Sequence, residues 1–214
     1  MKTNFFITAS ILLSMIFSSF VQAQTVRDSR YEEYMQLALN RMDSAKTVEG
    51  LQQARNLFDR ISKNYVSEWL PAYYVAYCDV NSVFYDLKSP RNGMILEEAN
   101  KVIEDMDVFP SADQSEINTL KGYCLMAMIA MNPQVNGQQY FSEVIRLYET
   151  AIAQNPGNPR PVILLADFER RLPPFIRSDK RNPDEEKAKA TLLFEKENPN
   201  IEKPYWGKYF LEIK

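Results

Sequence analysis

Apolar residues recur at steps of three and four positions along most of this chain. That spacing places them on one face of an α-helix, because a half-buried strand would alternate apolar and polar residues one by one. Early stripes of this kind contain Tyr34, Leu37, Ala38 and Met42, then Leu51, Ala54, Leu57, Phe58 and Ile61. The pattern predicts an all-α protein. Nine helices are predicted, over residues 29–43, 48–64, 68–87, 91–107, 112–131, 137–154, 159–171, 183–198 and 202–213.

Capping residues mark several of the predicted helix starts. Ser89 and Asn182 each precede a proline, and a short polar side chain followed by proline suits the N-cap and the first turn. Ser111 with Gln114 fits a capping box, in which each side chain bonds the backbone N–H of the other residue. These signals predict that the stripes belong to separate helices joined by turns.

A repeat of about 45 residues runs through the predicted helices. In one series a small residue is followed four positions later by a larger one, at steps of 45, 45 and 46: Ala54 with Phe58, Ala99 with Ile103, Val144 with Tyr148, and Ala190 with Phe194. A second series of small residues keeps nearly the same period, with steps of 46 and 44: Ala76, Gly122 and Ala166. Two series with one period predict stacked copies of a helix pair, each burying its apolar face against the next.

The segment from Tyr140 to Pro156, continuing into residues 161–166, resembles part of a tetratricopeptide repeat. It matches that family's second helix, its closing proline and the start of the next first helix. The family's period is about 34 residues. The period here is 45, so each copy would hold about ten more residues between its two helices.

Two further stretches, residues 68–71 and 204–208, resemble a group of exported tetratricopeptide-like proteins of Gram-negative bacteria that has no established activity. The resemblance implies a right-handed superhelix of helical hairpins. It implies one domain over residues 24–214, in which residues 202–214 form a capping helix.

The first residues have the form of a signal peptide. Lys2 precedes an apolar run over residues 5–20, and Val21-Gln22-Ala23 gives a small–x–small cleavage pattern. A membrane anchor is the alternative, but the run is short for a span of about 20 apolar residues. We predict cleavage after Ala23 and export to the periplasm or the medium. The mature net charge is then 24 − 28 = −4, because only Lys2 is lost from the charged residues.

The composition excludes several function classes. The chain contains no histidine, which removes His-assisted hydrolases and most zinc sites. The mild negative charge argues against a nucleic-acid partner, which needs a dense basic face. The acidic pairs, such as Glu97 with Glu98, are neighbours along a helix and do not converge on one point. We therefore predict no enzyme activity, no cofactor and no metal.

The two cysteines, Cys78 and Cys124, occupy equivalent positions two residues after Ala76 and Gly122. Equivalent points in stacked helix pairs are about 10 Å apart, whereas a disulfide needs Cα atoms roughly 4.4–6.8 Å apart. Export would permit a disulfide. The spacing favours two buried thiols that pack as small apolar residues.

The tetratricopeptide resemblance implies a concave surface, lined by the first helix of each pair, that binds an extended peptide. The residues that would face this groove are Tyr73, Tyr77, Asn81, Tyr123, Met126, Asp167 and Arg170. Aromatic rings bury large areas at low entropic cost, and arginine pairs with a carboxylate. Alternatively, these tyrosines pack in the core with a solvated hydroxyl.

Three loops, residues 89–93, 132–140 and 172–183, are predicted to project from one edge of the stack. The last carries several arginines and lysines beside Phe175, so it could meet an acidic partner or simply be a solvated loop.

The sequence predicts a non-enzymatic interaction or scaffolding module of the cell envelope, with a protein or peptide partner in the groove. The alternative is an exported binder of a small molecule or a glycan, which would use the same tyrosines around a closed pocket.

Overall fold

Eight α-helices follow one another along the part of the chain that the computed structural model describes, residues 29–173, 176–177 and 181–212. They are α1 (Ser29–Asp43), α2 (Val48–Asn64), α3 (Trp69–Tyr85), α4 (Asn92–Asp105), α5 (Gln114–Met131), α6 (Pro133–Gln154), α7 (Pro159–Arg171) and α8 (Pro183–Lys196). Two short 3-10 helices span Met106–Val108 and Lys208–Glu212. No strand occurs in these ranges, so the all-α prediction is confirmed. The predicted signal peptide, residues 1–23, lies outside the described residues.

Side chains at the helix starts accept hydrogen bonds from free backbone N–H groups, as capping requires. The Asn182 prediction is confirmed, since its Oδ1 accepts from the N–H of Asp184 at 3.0 Å. The capping box at Ser111 is wrong, because Asp113 caps α5 by accepting from the N–H of Ser115 at 2.9 Å. Ser89 does not cap α4 either, since that helix begins three residues later.

Consecutive helices pack against each other from α1 to α8. In addition, α3 packs against α5, and α5 packs against α7, so these three helices lie side by side in one layer. All members of the two 45-residue series are buried in this arrangement. Every position of the repeat read from the sequence is therefore a core position. Within the described ranges, no helix combines the length and apolar character needed to cross a bilayer.

Gly122 lies at a close approach between α5 and α6. A Cβ atom added there would lie 2.6 Å from Cε1 of Tyr148, the residue of the other series in the same helix pair. The Tyr148 ring is fully buried, and its hydroxyl donates to the sulfur of Met126 at 2.9 Å. The ring therefore has little room to move.

We expect Gly122→Ala to destabilise the protein by about 1–3 kcal/mol, as overpacking of a core does, despite the better helix propensity of alanine. The matched control is Gly137→Ala, another glycine inside a helix, where an added Cβ meets no atom within 4 Å. The control should be neutral or slightly stabilising. Urea unfolding followed by circular dichroism measures both, and equal stabilities of the two variants would contradict the prediction.

Cys78 and Cys124 are buried free thiols. The prediction of two packed thiols, in place of a disulfide, is confirmed. Burial raises the pKa of the Cys124 thiol to about 12, so the thiol stays protonated at neutral pH. Neither cysteine has the exposed, electropositive setting of a reactive thiolate.

The loop predicted over residues 132–140 is wrong, because α6 begins at Pro133, one residue after Asn132. Proline is well suited to the first helical position, where its missing N–H is not needed. The loop predicted over residues 172–183 does connect α7 to α8, and five of its residues lie outside the described ranges. Arg181 near its end pairs with Glu169 of α7 and Glu149 of α6.

The ninth helix, predicted over residues 202–213, is also wrong. Residues 204–207 are irregular and only Lys208–Glu212 form a 3-10 helix. Gly207 adopts a φ of +102°, a conformation that glycine reaches without a Cβ penalty. We call residues 204–212 the C-terminal strap. Its indole Trp206 Nε1 donates to the hydroxyl of Tyr73 on α3 at 2.8 Å, so the strap crosses the layer of α3, α5 and α7.

Candidate functional site

A cavity of about 650 Å³ lies where the C-terminal ends of α3, α5 and α7 meet the strap. We call it the apolar cavity, because most of its lining is aromatic or aliphatic. Its lining residues are Asn81, Phe84, Tyr85, Tyr123, Met126, Ile129, Ala130, Pro133, Asp167, Phe168, Arg171, Leu172, Tyr209 and Phe210. Its size and character are those of a site for a small organic molecule.

Aromatic rings form two walls of the apolar cavity. Phe84 stacks on Tyr123 with ring centroids 4.9 Å apart, which links α3 to α5. Tyr209 stacks on Phe210 at 4.3 Å, and Phe210 meets Tyr123 edge to face at 6.0 Å. The strap is therefore joined to the helical wall by ring contacts, and the walls present flat apolar surfaces to a ligand.

The tyrosine hydroxyls of this site are engaged with each other. Tyr123 donates to Asn81 Oδ1 at 3.1 Å, and its oxygen lies 3.4 Å from the hydroxyl of Tyr209. Because the single proton of Tyr123 is directed to Asn81, Tyr209 is the donor in the second contact. Burial raises the pKa of Tyr123 well above its ordinary value, so this phenol is neutral at physiological pH.

Few groups of the apolar cavity could ligate a metal. The sulfur of Met126 accepts a hydrogen bond from Tyr148, and the chain has no histidine. Across the described residues, no group of three or more cysteine or carboxylate side chains is arranged to hold a metal ion. Among the exposed side chains of the lining, the hydroxyls of Tyr85 and Tyr209 are the oxygen atoms that could bind a metal.

At one end of the apolar cavity, Arg171 forms a bidentate pair with Asp167. The distances are 3.1 Å from Nε to Oδ2 and 3.2 Å from Nη2 to Oδ1. The Arg171 guanidinium and the Asp167 carboxylate therefore neutralise each other.

A second cavity, of about 380 Å³, adjoins the first. Asn81, Tyr85 and Tyr209 line both cavities, so the two are neighbouring parts of one groove. We call the second one the lysine cavity, after Lys46 and Lys208. Its full lining is Met42, Asp43, Ala45, Lys46, Leu51, Tyr77, Asn81, Tyr85, Tyr205, Trp206, Gly207, Lys208 and Tyr209.

A buried charge network holds the strap in place. Arg160, only 1% exposed, pairs with Glu116 at 3.2 Å and Glu197 at 2.6 Å. The same guanidinium donates to the backbone carbonyl of Pro204 in the strap, and Tyr73 donates to Glu116 at 3.1 Å. Burial raises the pKa of Glu116 to about 7, although the Arg160 charge acts in the opposite direction.

The structure brings together four of the seven residues predicted to line a groove. Asn81, Tyr123, Met126 and Asp167 all line the apolar cavity. They come from three different helices, as the prediction of a shared surface requires.

The other three predicted residues do not line the apolar cavity, although Tyr77 lines the adjoining lysine cavity. Tyr73 and Tyr77 are 0% and 4% exposed, because the strap covers them and the Trp206 ring lies 4.6 Å from that of Tyr77. The structure thus places both rings under the strap, and their role in binding a partner stays a prediction. Arg170 pairs with Asp184 at 2.8 Å and is not part of the cavity lining.

Sequence reasoning missed five aromatic residues of the site: Phe84, Tyr85, Phe168, Tyr209 and Phe210. For the first two a signal was present, since they follow Asn81 at three and four positions and so share its helical face. Tyr209 and Phe210 carried no such signal, because only the path of the strap brings them to α3 and α5.

The sequence matches no family model and no curated protein. A similar solved structure is the HusA haemophore from Porphyromonas gingivalis, with a TM-score of 0.75 and 26% sequence identity over 88% of this chain and 94% of that chain. The chain thus shares an all-helical fold with HusA. No family model supports the tetratricopeptide resemblance.

Proposed function

We propose that this protein is an exported, non-enzymatic binding protein for haem or a related porphyrin, which it holds in the apolar cavity. The observation that carries the proposal is the cavity itself: about 650 Å³, walled by stacked aromatic rings. The likeness to HusA, named a haemophore, supports the ligand class. The predicted signal peptide supports export.

The residues of the cavity suit the flat faces of a macrocycle better than its metal. Phe84, Tyr123 and Phe210 offer ring surfaces, and burial of such area contributes roughly 25 cal/mol per Å². The usual iron ligands of haem proteins are histidine, cysteine thiolate, methionine and tyrosine. This chain has no histidine, both cysteines are buried, and the Met126 sulfur already accepts a hydrogen bond. Tyr85 and Tyr209 are the exposed side chains of the lining that could hold the iron. The ring faces would hold haem and an iron-free porphyrin alike, so we infer that both bind.

A partner segment in the concave groove, the main prediction from the sequence, is a less favoured proposal. The strap covers Tyr73 and Tyr77, which were to form one end of that groove. The right-handed superhelix of tetratricopeptide type also stays a proposal, and the burial of both 45-residue series supports it.

Substitutions in the cavity wall should weaken porphyrin binding. We expect Phe84→Ala and Tyr209→Ala each to raise the Kd for haem and for iron-free protoporphyrin about tenfold, because each removes a stacking surface of about 1 kcal/mol or more. Absorbance titration of the porphyrin band measures this. The matched control is Tyr34→Ala on α1, since Tyr34 is 45% exposed and Tyr209 is 43% exposed, and Tyr34 lines neither cavity.

Two outcomes would reject the proposed function. One is a wild-type protein that binds neither porphyrin. The other is wild-type affinity in both cavity variants, which would place the ligand elsewhere on the surface.

A further inference from the structure

We propose that the lysine cavity is the carboxylate subsite of the same groove, where Lys46 and Lys208 bind the acid groups of an amphiphilic ligand. This inference rests on the proposed porphyrin function and specifies the orientation of the ligand. The apolar macrocycle would lie in the apolar cavity, and its acidic edge would pass Tyr85 and Tyr209 to reach the lysines.

The two cavities are adjacent, and the proposed ligand would extend from one into the other. Asn81, Tyr85 and Tyr209 line each of them, so these three side chains form the boundary. Tyr85 and Tyr209 are exposed, and their side chains lie between an aromatic compartment and one that is lined by two lysines. A porphyrin with apolar faces and two carboxylates has the same division of character.

The charges of the lysine cavity favour an anion. Among the ion pairs between described residues, none involves Lys46 or Lys208. Asp43 is the acidic residue of the lining, and its Oδ2 accepts the hydroxyl proton of Tyr205 at 2.9 Å. Two lysines and one aspartate in the lining give this end of the groove a net positive charge.

The opposite end of the groove is a weaker anion site. Arg171 is the cation there, and Asp167 already holds its guanidinium by two hydrogen bonds. A ligand carboxylate would have to compete with Asp167 or accept repulsion from it. The acid groups of the ligand are therefore expected at the lysine end.

The experiment compares iron-free protoporphyrin, a dicarboxylic acid, with its dimethyl ester at low ionic strength. The protein variants are Lys46→Ala with Lys208→Ala, Arg171→Ala, and the control Lys101→Ala, an exposed lysine on α4 that lines neither cavity. We expect the double lysine variant to bind the diacid about fivefold more weakly than wild type, which corresponds to two solvent-accessible ion pairs. It should bind the ester with wild-type affinity, and Lys101→Ala should change neither.

The outcomes separate this inference from the function on which it rests. If wild type binds both porphyrins and the double lysine variant keeps full affinity for the diacid, the inference is wrong and the proposed function stands. A selective loss of diacid binding in Arg171→Ala, in place of the lysine variant, would reverse the proposed orientation. If wild type binds neither porphyrin, the proposed function fails, and the subsite with it. The variants are all at exposed positions, and thermal unfolding of each one checks that it remains folded.

Discussion

Replacement of Arg160 by methionine is expected to lower the free energy of unfolding by about 3–5 kcal/mol, the usual effect of removing one partner from a buried ion pair. Arg160 is 1% exposed and its guanidinium faces Glu116, Glu197 and the carbonyl of Pro204. Methionine fills much of the same volume without a charge. Glu116 would then be a buried carboxylate without its cation, and the strap would lose a backbone anchor.

The loss of unfolding free energy in Arg160→Met should depend on pH. The pKa of Glu116 is raised from 4.5 to about 7 in the folded protein, by burial. The folded state therefore binds more protons than the unfolded state in this range, so the Glu116 contribution to stability falls as pH rises from about 4.5 through 7. Without Arg160, whose charge lowers this pKa, the fall extends to higher pH. Urea unfolding should thus show a smaller deficit near pH 5 than near pH 8.

A double variant controls for the loss of the arginine stem. Arg160→Met with Glu116→Gln removes both charges, and the glutamine oxygen can still accept from Tyr73. We expect this double variant to be more stable than Arg160→Met alone at pH 8, with a coupling energy measured by the full mutant cycle. Additive effects of the two substitutions, or a deficit that does not vary with pH, would show that Glu116 and Arg160 act independently.

The helices and the repeat could be predicted because they depend on local pattern. A stripe of apolar residues fixes which face of a helix is buried, whatever that face meets. The two 45-residue series identified buried positions as far apart as Ala54 and Phe194, as expected where helix pairs repeat along a chain. Gly122 was found by its place in a series, and the structure packs it against Tyr148, the member of the other series in the same helix pair.

The strap could not be predicted because its conformation depends on contacts distant in sequence. Trp206 bonds to Tyr73, 133 residues earlier, and no window of helical periodicity contains both. The apolar residues of the segment, including Phe210 and Leu211, have a spacing that is compatible with a helix. The strap also determines which tyrosines are accessible. It covers Tyr73 and Tyr77, and it contributes Tyr209 and Phe210 to the wall of the apolar cavity.

Arg160 shows a second limit of sequence reasoning. An arginine in the first turn of a helix is normally assigned to solvent, because arginine is rarely buried without partners. Its partners here come from α5, from the end of α8 and from the strap. A buried charge is thus a property of the assembled fold, and the sequence pattern of α7 alone does not contain it.

Replacement of Trp206 by alanine is expected to destabilise the protein by about 3–5 kcal/mol, the range for truncation of a buried tryptophan. Its ring lies 4.6 Å from that of Tyr77 and 5.3 Å from that of Tyr123, and the Arg160 guanidinium carbon lies 6.0 Å from its centroid. The substitution also removes the hydrogen bond to Tyr73. Trp206→Phe is the matched control, because it keeps a ring but loses the N–H donor, and it should cost less.

The same substitution should reduce porphyrin binding, because Tyr209 and Phe210 follow Trp206 in the strap and form a wall of the apolar cavity. We expect at least a tenfold rise in the Kd for iron-free protoporphyrin in Trp206→Ala, measured by absorbance where circular dichroism shows the helices to be intact. The rise should exceed that of Tyr209→Ala, since the strap anchor is lost along with its contacts. Destabilisation with unchanged porphyrin affinity would mean that the strap serves the fold alone and that the ligand site lies away from it.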